Sequence, residues 1–123
     1  MTDNATMTIS ELAKAIITLA SEKKVMLVLA ESCTGGLIAA ALTDIAGSSA
    51  VLDRGLVTYS NQAKQDLLGV RDDILASYGA VSAETAIAMT TGALLKTPAA
   101  QLAASVTGIA GPGGGSQDKP VGL

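Results

Sequence analysis

The pattern of apolar and polar positions along this chain predicts helices that alternate with strands. Thr8 and Glu11 have the spacing of a capping box, which indicates where a first helix begins. Leu12, Ile16 and Leu19 then recur at the spacing of one helical face. These positions predict a first helix whose large apolar side chains pack inward.

Three apolar runs predict strands. The run over residues 25–30 is uninterrupted, which is typical of a strand buried on both faces. Residues 51–59 favour a second strand, interrupted by the polar triplet Asp53-Arg54-Gly55, and residues 101–106 favour a third. Capping and turn residues predict four more helices, which begin near Gly35-Gly36, Ser60, Asp72 and Ser82. This alternation predicts an α/β fold with a largely parallel sheet and helices on both faces.

Two of the predicted strands run into loops rich in glycine and small hydroxyl residues. The first loop spans Ser32–Gly36 and the second spans Thr107–Ser116. A buried parallel strand that ends in such a loop leaves backbone N–H groups at the edge of the sheet, where α/β proteins bind anionic or amide-bearing ligands. Two such loops in one short chain predict a small-molecule enzyme. The second loop has neither a Walker A nor a G-x-G-x-x-G pattern, and a flexible turn is the alternative interpretation.

Composition and charge narrow the class of protein. The chain has no Phe, no Trp and two tyrosines, which disfavours stacking on single-stranded nucleic acid. The net charge of −3 comes without a basic patch, so we predict no nucleic-acid partner. No apolar run approaches the roughly 18 residues of a membrane helix, and no signal peptide precedes the domain, so we expect a cytoplasmic protein without a membrane partner.

The absence of histidine restricts the chemistry most. It excludes Ser-His-Asp and Cys-His catalysis and the H-E-x-x-H zinc site. The acidic residues do not cluster at metal-ligand spacing, and we predict neither a metal nor a cofactor. A nucleophile in this chain therefore needs another base. A lysine serves only if burial or a nearby positive charge lowers its pKa.

Ser32 is the candidate nucleophile, because it lies between a strand and a helix N-terminus. The backbone amides of Thr34–Gly36 are expected to stabilise an oxyanion there. Lys64, in the first turn of the helix that follows Tyr59, is the candidate base, and Tyr59 is expected to hydrogen-bond it or relay its proton. In the alternative interpretation Ser32 only caps the helix, Lys64 is solvated and Tyr59 packs.

Cys33 and Glu31 flank Ser32 and carry competing interpretations. Cys33 is a rival nucleophile, because a helix N-terminus favours a thiolate, and redox sensing through Cys33 is a further hypothesis. A free cysteine also serves as a small buried apolar residue. Glu31 is expected to pair with Lys64 or Arg54, or to form a surface ion pair.

Six segments resemble, in order, the motifs of the CinA C-terminal domain, the nicotinamide-mononucleotide deamidase family. The matching segments are Ala30–Gly36, Asp44–Ser49, Arg54–Lys64, Gly79–Ser82, Thr107–Gly115 and Lys119–Gly122. The resemblance implies a three-layer α/β/α fold with a mixed, mostly parallel sheet. It also implies hydrolysis of nicotinamide mononucleotide to nicotinate mononucleotide and ammonia, a step of pyridine nucleotide recycling, with Ser32, Tyr59 and Lys64 as the catalytic group.

The substrate-binding residues follow from the same loops. The oxyanion is expected near the first loop, and either the second loop or Gly47-Ser48-Ser49 is expected to hold the ribose phosphate. The candidate substrate-binding residues are Thr34, Gly35, Gly36, Ser48, Ser49, Thr107, Gly108, Gly111 and Gly114.

The resemblance also implies structure that this chain lacks. The family continues past Lys119–Gly122 with a further strand and helices, and larger members carry an N-terminal pyrophosphatase domain. We expect a single domain over residues 1–123, without the final strand and helices, with an exposed apolar surface and a tendency to form a homo-oligomer. The alternative function is a nucleotide-binding module without turnover.

Overall fold

Three parallel strands form the centre of the computed structural model, which describes residues 6–123. Strand β1 is Leu27–Glu31, β2 is Leu52–Val57 and β3 is Leu102–Val106, in the spatial order β2-β1-β3. The uninterrupted apolar strand is central because both of its faces are buried. The α/β prediction is confirmed. Among the described residues no strand is antiparallel to these three, so the mixed sheet that the resemblance implies stays a prediction.

Five helices cover both faces of this sheet. They are α1 Ile9–Lys23, α2 Leu37–Thr43, α3 Asn61–Leu68, α4 Asp72–Tyr78 and α5 Ala83–Lys96. Leu27 and Leu29 of β1 pack in a cluster with α1 and α2, whereas Val28 and Ala30 pack with α3, α4 and α5. The alternation of side chains along β1 therefore produces three layers. No helix in the described part of the chain is long and apolar enough to cross a membrane.

The helix ends follow the capping residues that the sequence indicates. Hydroxyl oxygens of Thr8, Ser60 and Ser82 accept backbone N–H groups three residues later, at 3.0 to 3.1 Å. Gly69 and Gly79 end α3 and α4 with positive φ angles. The predicted helix starts are therefore confirmed.

The buried face of α1 differs from the prediction. Ala13, Ile17 and Ala20 are buried, whereas Ile16 and Leu19 are 44% and 54% exposed. The two alanines allow α1 to approach the sheet more closely than larger side chains would. Apolar spacing alone does not distinguish this face from the neighbouring one.

The larger apolar residues of α1 border an apolar groove of about 540 Å³. Leu42 of α2 and Leu102 and Ala104 of β3 also line it. Leu102 is exposed because β3 is an edge strand and no described helix covers this part of its face. The further strand and helix that the resemblance implies for this end of the domain stay a prediction.

Strand β2 runs through its polar triplet as one strand, but its pairing with β1 skips Asp53, so the predicted interruption is a local register shift in the strand. β2 is the other edge strand, and polar side chains are tolerated at an edge. Asp53 and Arg54 form an ion pair at 2.6 Å. Gly55 lies against α2, where a Cβ would be 3.0 Å from the Cβ of Ala39. Gly55 therefore permits close packing of the strand and the helix.

The strand register brings the polar loops to one edge of the sheet. Glu31, the last residue of β1, pairs with Val57 on one side and Val106 on the other. The residues that follow each strand therefore leave the sheet side by side, at its carboxyl edge. Ligands of parallel α/β sheets bind at this edge.

Candidate active site

A pocket of about 280 Å³ lies at the carboxyl edge of the sheet. Ser32 and Cys33 line it from the end of β1, and Tyr59 and Lys64 line it from the end of β2 and from α3. Residues 80 and 81 form one side. The remaining lining residues, 107–111 and 113, belong to residues 107–123, which are called the roof loop below.

Lys64 reaches Ser32 directly inside the fold. Its side chain is only 1% exposed, and Nζ lies 2.8 Å from Ser32 Oγ. Nζ also donates to the carbonyl oxygens of Thr58 at 2.9 Å and Tyr59 at 3.1 Å. Helix α3 begins immediately after β2, and this short connection carries Lys64 back under the end of the strand. This contact places an amine within hydrogen-bond distance of a hydroxyl, as a general base and a serine nucleophile require.

Burial shifts the protonation equilibrium of Lys64 toward the neutral amine. Burial lowers the pKa of Lys64, while a negative charge on Cys33 would oppose that shift. Among the described residues, no carboxylate forms an ion pair with Lys64. A neutral amine can donate its two N–H groups to the two carbonyls and direct its lone pair at the Ser32 hydroxyl. The interpretation of Lys64 as a solvated lysine is therefore excluded by its burial.

Glu31 stabilises the start of α2 and does not pair with Lys64. Its carboxylate is 1% exposed and accepts the Thr34 hydroxyl at 2.7 Å and the N–H groups of Ile38 and Ala39 at 2.9 Å each. Burial would raise the pKa of Glu31, but the hydrogen bonds from Thr34 and from the helix amides outweigh it and lower the pKa. The expected ion pair with Lys64 or Arg54 is therefore wrong. Glu31 instead fixes the turn that follows Ser32.

The amides of this turn divide into two groups. Gly35 N–H donates to Ser32 O at 3.1 Å, and the backbone of Gly36 also hydrogen-bonds the Glu31 carboxylate. The N–H groups of Cys33 and Thr34 donate to no other described residue. The two free N–H groups directly follow Ser32, a position from which backbone donors can stabilise an oxyanion.

The roof loop approaches Cys33, the neighbour of Ser32, closely at Gly108. A Cβ at Gly108 would lie 2.5 Å from Leu123 O and 3.3 Å from Cys33 Sγ. Only glycine fits between these groups. The Thr107 hydroxyl donates to Ala80 O at 2.7 Å and joins the base of the roof loop to the opposite side of the pocket.

Comparison of the sequence with known protein families identifies the family of this chain. A model of the CinA C-terminal domain matches residues 9–123. The chain belongs to the CinA C-terminal domain family. The resemblance seen in the six sequence motifs is thereby confirmed.

Several named proteins are similar to this chain. It is 49% identical over 122 residues to the nicotinamide-nucleotide amidohydrolase PncC of Escherichia coli K12, covering 99% of the chain and 72% of that protein. It is 59% identical to a CinA-like protein of Geobacter sulfurreducens, covering 88% of the chain and only 26% of that protein. The crystal structure of the competence/damage inducible protein CihA from Agrobacterium tumefaciens superposes with a TM-score of 0.88 at 59% identity, covering 94% of the chain and 69% of that structure.

The CinA pocket brings together six of the predicted site residues and leaves six outside it. Those that line it are Ser32, Tyr59, Lys64, Thr107, Gly108 and Gly111, and those that do not are Thr34, Gly35, Gly36, Ser48, Ser49 and Gly114. Ser48 and Ser49 lie in a 3-10 turn, Ser48–Ala50, whose backbone groups hydrogen-bond the flanking residues Ile45, Gly47 and Val51. The functional roles of all twelve stay predictions.

The backbone supplies contacts that sequence reasoning missed. The carbonyls of Thr58 and Tyr59 hold Lys64, and Ala80 and Val81 line the pocket. The Tyr59 ring is 71% exposed, and its hydroxyl has no hydrogen bond to a described residue. A sequence does not show which carbonyl accepts a bond. The Gly79–Ser82 motif was the available signal for the missed side of the pocket.

Proposed function

We propose that this CinA domain hydrolyses the carboxamide of nicotinamide mononucleotide to nicotinate mononucleotide and ammonia. The observation that carries the proposal is the buried contact of 2.8 Å between Lys64 Nζ and Ser32 Oγ, with no carboxylate of residues 6–123 paired to the lysine. The substrate follows from the relative named nicotinamide-nucleotide amidohydrolase, which aligns with 99% of the chain.

In the proposed acylation step, neutral Lys64 takes the proton of the Ser32 hydroxyl as Oγ attacks the carboxamide carbon. The carbonyl oxygen becomes an oxyanion, which the free N–H groups of Cys33 and Thr34 stabilise. Lys64 then gives its proton to the amide nitrogen, and the C–N bond breaks. Ammonia leaves, and the acyl group of the nucleotide remains on Ser32 as an ester.

In the proposed deacylation step Lys64 is again the base, and a water molecule takes the place of the Ser32 hydroxyl. Lys64, neutral again, takes a proton from a water molecule that attacks the ester carbon. The second tetrahedral intermediate collapses, and Lys64 returns the proton to Ser32 Oγ as the C–O bond breaks. Nicotinate mononucleotide leaves as the carboxylic acid, whose proton passes through water to the released ammonia and yields the carboxylate and an ammonium ion. One lysine therefore serves both steps without histidine.

The roof loop is proposed to hold the phosphate. Lys64 is the one cationic residue among those lining the pocket, and in its neutral form it does not attract an anion. The N–H groups of Gly108, Gly111 and Gly113 donate to no described residue, so they are available to a phosphate. Tyr59 is proposed to assist catalysis from the pocket, where its carbonyl already orients the Lys64 amine.

Ammonia release and binding together test the proposal and its alternative. The chain is mixed with nicotinamide mononucleotide, and ammonia is measured enzymatically while calorimetry measures binding. The proposal expects ammonia from the mononucleotide and much less from nicotinamide riboside, which has the same amide but no phosphate. Binding without ammonia release would reject the proposal and favour the nucleotide-binding module.

A further inference from the structure

The roof loop folds back on itself as a closed unit. Ile109 N–H donates to Leu123 O at 3.0 Å, and Gly122 N–H donates to Ile109 O at 2.8 Å. Nearer its tip, Ser116 N–H donates to Lys119 O at 2.8 Å, and Lys119 N–H donates to Ser116 Oγ at 3.1 Å. The loop therefore holds its own shape, and its distance from the nucleophile depends on how it is attached to the domain.

Val121 fills the interior of this unit. A Cβ at Gly111 would lie 2.5 Å from Val121 Cγ1, and a Cβ at Gly115 would lie 2.9 Å from Val121 Cγ2. The two glycines leave the space that Val121 occupies. Displacement of one part of the loop therefore carries the rest with it.

Lys119 attaches the unit to the far side of the pocket. Its Nζ donates to Tyr78 O at 2.8 Å, at the carboxyl end of α4, where a helix favours positive charge. Thr107 makes the other attachment at the base of the roof loop. Apart from these two, no residue of 107–123 has a hydrogen bond or ion pair to the rest of the described chain.

Residues 78–81, called the wall segment below, are a rigid point of attachment. Three successive carbonyls of this segment each accept a side-chain donor. Tyr78 O accepts from Lys119, Ala80 O accepts from Thr107, and Gly79 O accepts from the two hydroxyls at the start of α5 at 3.0 and 2.6 Å. Lys119 and Thr107 therefore fix the roof loop to the wall segment at two separate points.

We propose that Lys119 is a positioning residue that holds the roof loop over Ser32. It does not line the pocket, and it acts through the loop that does. Loss of its ammonium frees the tip of the loop, widens the pocket and weakens substrate binding. The contact between Ser32 and Lys64 comes from β1 and α3, so the chemical step is unchanged. The kinetic part of this inference rests on the proposed function.

The reactivity of Cys33 tests the position of the roof loop without any turnover. Cys33 is the only cysteine in the chain, and the roof loop covers it at Gly108. A thiol reagent without substrate is expected to modify Cys33 about fivefold faster in Lys119→Met than in the parent chain, because a charged hydrogen bond is lost. Lys119→Arg keeps a donor and is expected to react at nearly the parent rate. Lys14→Met, a matched change at an exposed lysine of α1, is the control.

Steady-state kinetics separates positioning from catalysis. With nicotinamide mononucleotide, Lys119→Met is expected to raise KM about fivefold and to leave kcat within about twofold. Equal Cys33 rates in Lys119→Met and the parent would overturn the inference, as would a fall in kcat at unchanged KM. A parent chain that releases no ammonia overturns the proposed function, and the Cys33 rates then still decide the role of Lys119. If circular dichroism shows that Lys119→Met is unfolded, Lys119→Gln replaces it with the same criteria.

Discussion

Replacement of Lys64 by Met removes the proposed base while keeping an unbranched side chain of similar length. General-base catalysis contributes about 10² to 10⁴ in rate, or roughly 3 to 5 kcal/mol of transition-state stabilisation. In the part of the chain that the structure describes, Lys64 Nζ is the one side-chain group hydrogen-bonded to Ser32 Oγ, so no described neighbour replaces it. We therefore expect Lys64→Met to lower kcat/KM for nicotinamide mononucleotide by at least about 100-fold.

The pH dependence of the same pair of proteins tests the protonation state. Burial lowers the pKa of Lys64, and only the neutral amine accepts the Ser32 proton. Parent kcat/KM should therefore rise with pH up to that lowered pKa, while the residual activity of Lys64→Met should not show this rise. Ammonia release measured from about pH 6 to pH 10 provides the profile. A Lys64→Met variant within tenfold of the parent, or a parent whose activity falls over this range, would refute the reasoning.

Stability should follow the same titration. Because the pKa of Lys64 is lower in the folded chain than in the unfolded chain, the unfolded chain binds the proton more tightly. The cost of burying the ammonium is present in full below the folded pKa and disappears as pH rises through the window up to the unfolded pKa. Within that window the parent should gain up to about 1.4 kcal/mol of unfolding free energy per pH unit relative to Lys64→Met. Urea denaturation at several pH values measures the difference.

Three further predictions concern the surroundings of the pair. Glu31→Ala should lower the free energy of unfolding at pH 7 by about 2 to 4 kcal/mol, since three buried hydrogen bonds are lost. Because folding lowers the pKa of Glu31, this difference should narrow as pH falls from about 5 toward 2 in urea denaturation. Gly92→Ala should lower the free energy of unfolding by about 3 kcal/mol or more, because its Cβ would lie 1.8 Å from a carbonyl oxygen of α3. Gly113→Ala, whose Cβ would point into open space, should have a free energy of unfolding within about 0.5 kcal/mol of the parent value. Gly108→Ala should raise the KM for nicotinamide mononucleotide about tenfold, whereas Ser48→Ala should change it less than twofold, because of these two residues Gly108 alone lines the pocket. A larger rise in KM for Ser48→Ala than for Gly108→Ala would instead place the phosphate on the Gly47–Ser49 loop.

The features predicted correctly from the sequence are those that depend on the residue types within one short segment and on the order of the strands. The apolar run at β1 is central and buried, and the hydroxyl caps at Thr8, Ser60 and Ser82 begin their helices as predicted. The proximity of Ser32 and Lys64, 32 residues apart, follows from parallel strands that end at one edge. These features depend on side-chain type and strand order, which a sequence displays.

The features that could not be predicted depend on neighbours that are distant in sequence. The buried face of α1 is set by how closely its alanines approach the sheet, and Ile16 has the same apolar character as Ile17. The Glu31 carboxylate accepts N–H groups at the start of a helix, and its sequence neighbourhood does not distinguish this partner from a basic side chain. The acceptors of Lys64 are carbonyls, which every residue carries.

The most direct test of the account measures ammonia release from nicotinamide mononucleotide by the parent chain and by Ser32→Ala. The two differ by one hydroxyl oxygen, the atom that Lys64 contacts at 2.8 Å. The account expects release by the parent, none above background by Ser32→Ala, and calorimetric binding of the mononucleotide by both. Ammonia release by Ser32→Ala at a rate near that of the parent would contradict it, because the amide would then be hydrolysed without the proposed nucleophile.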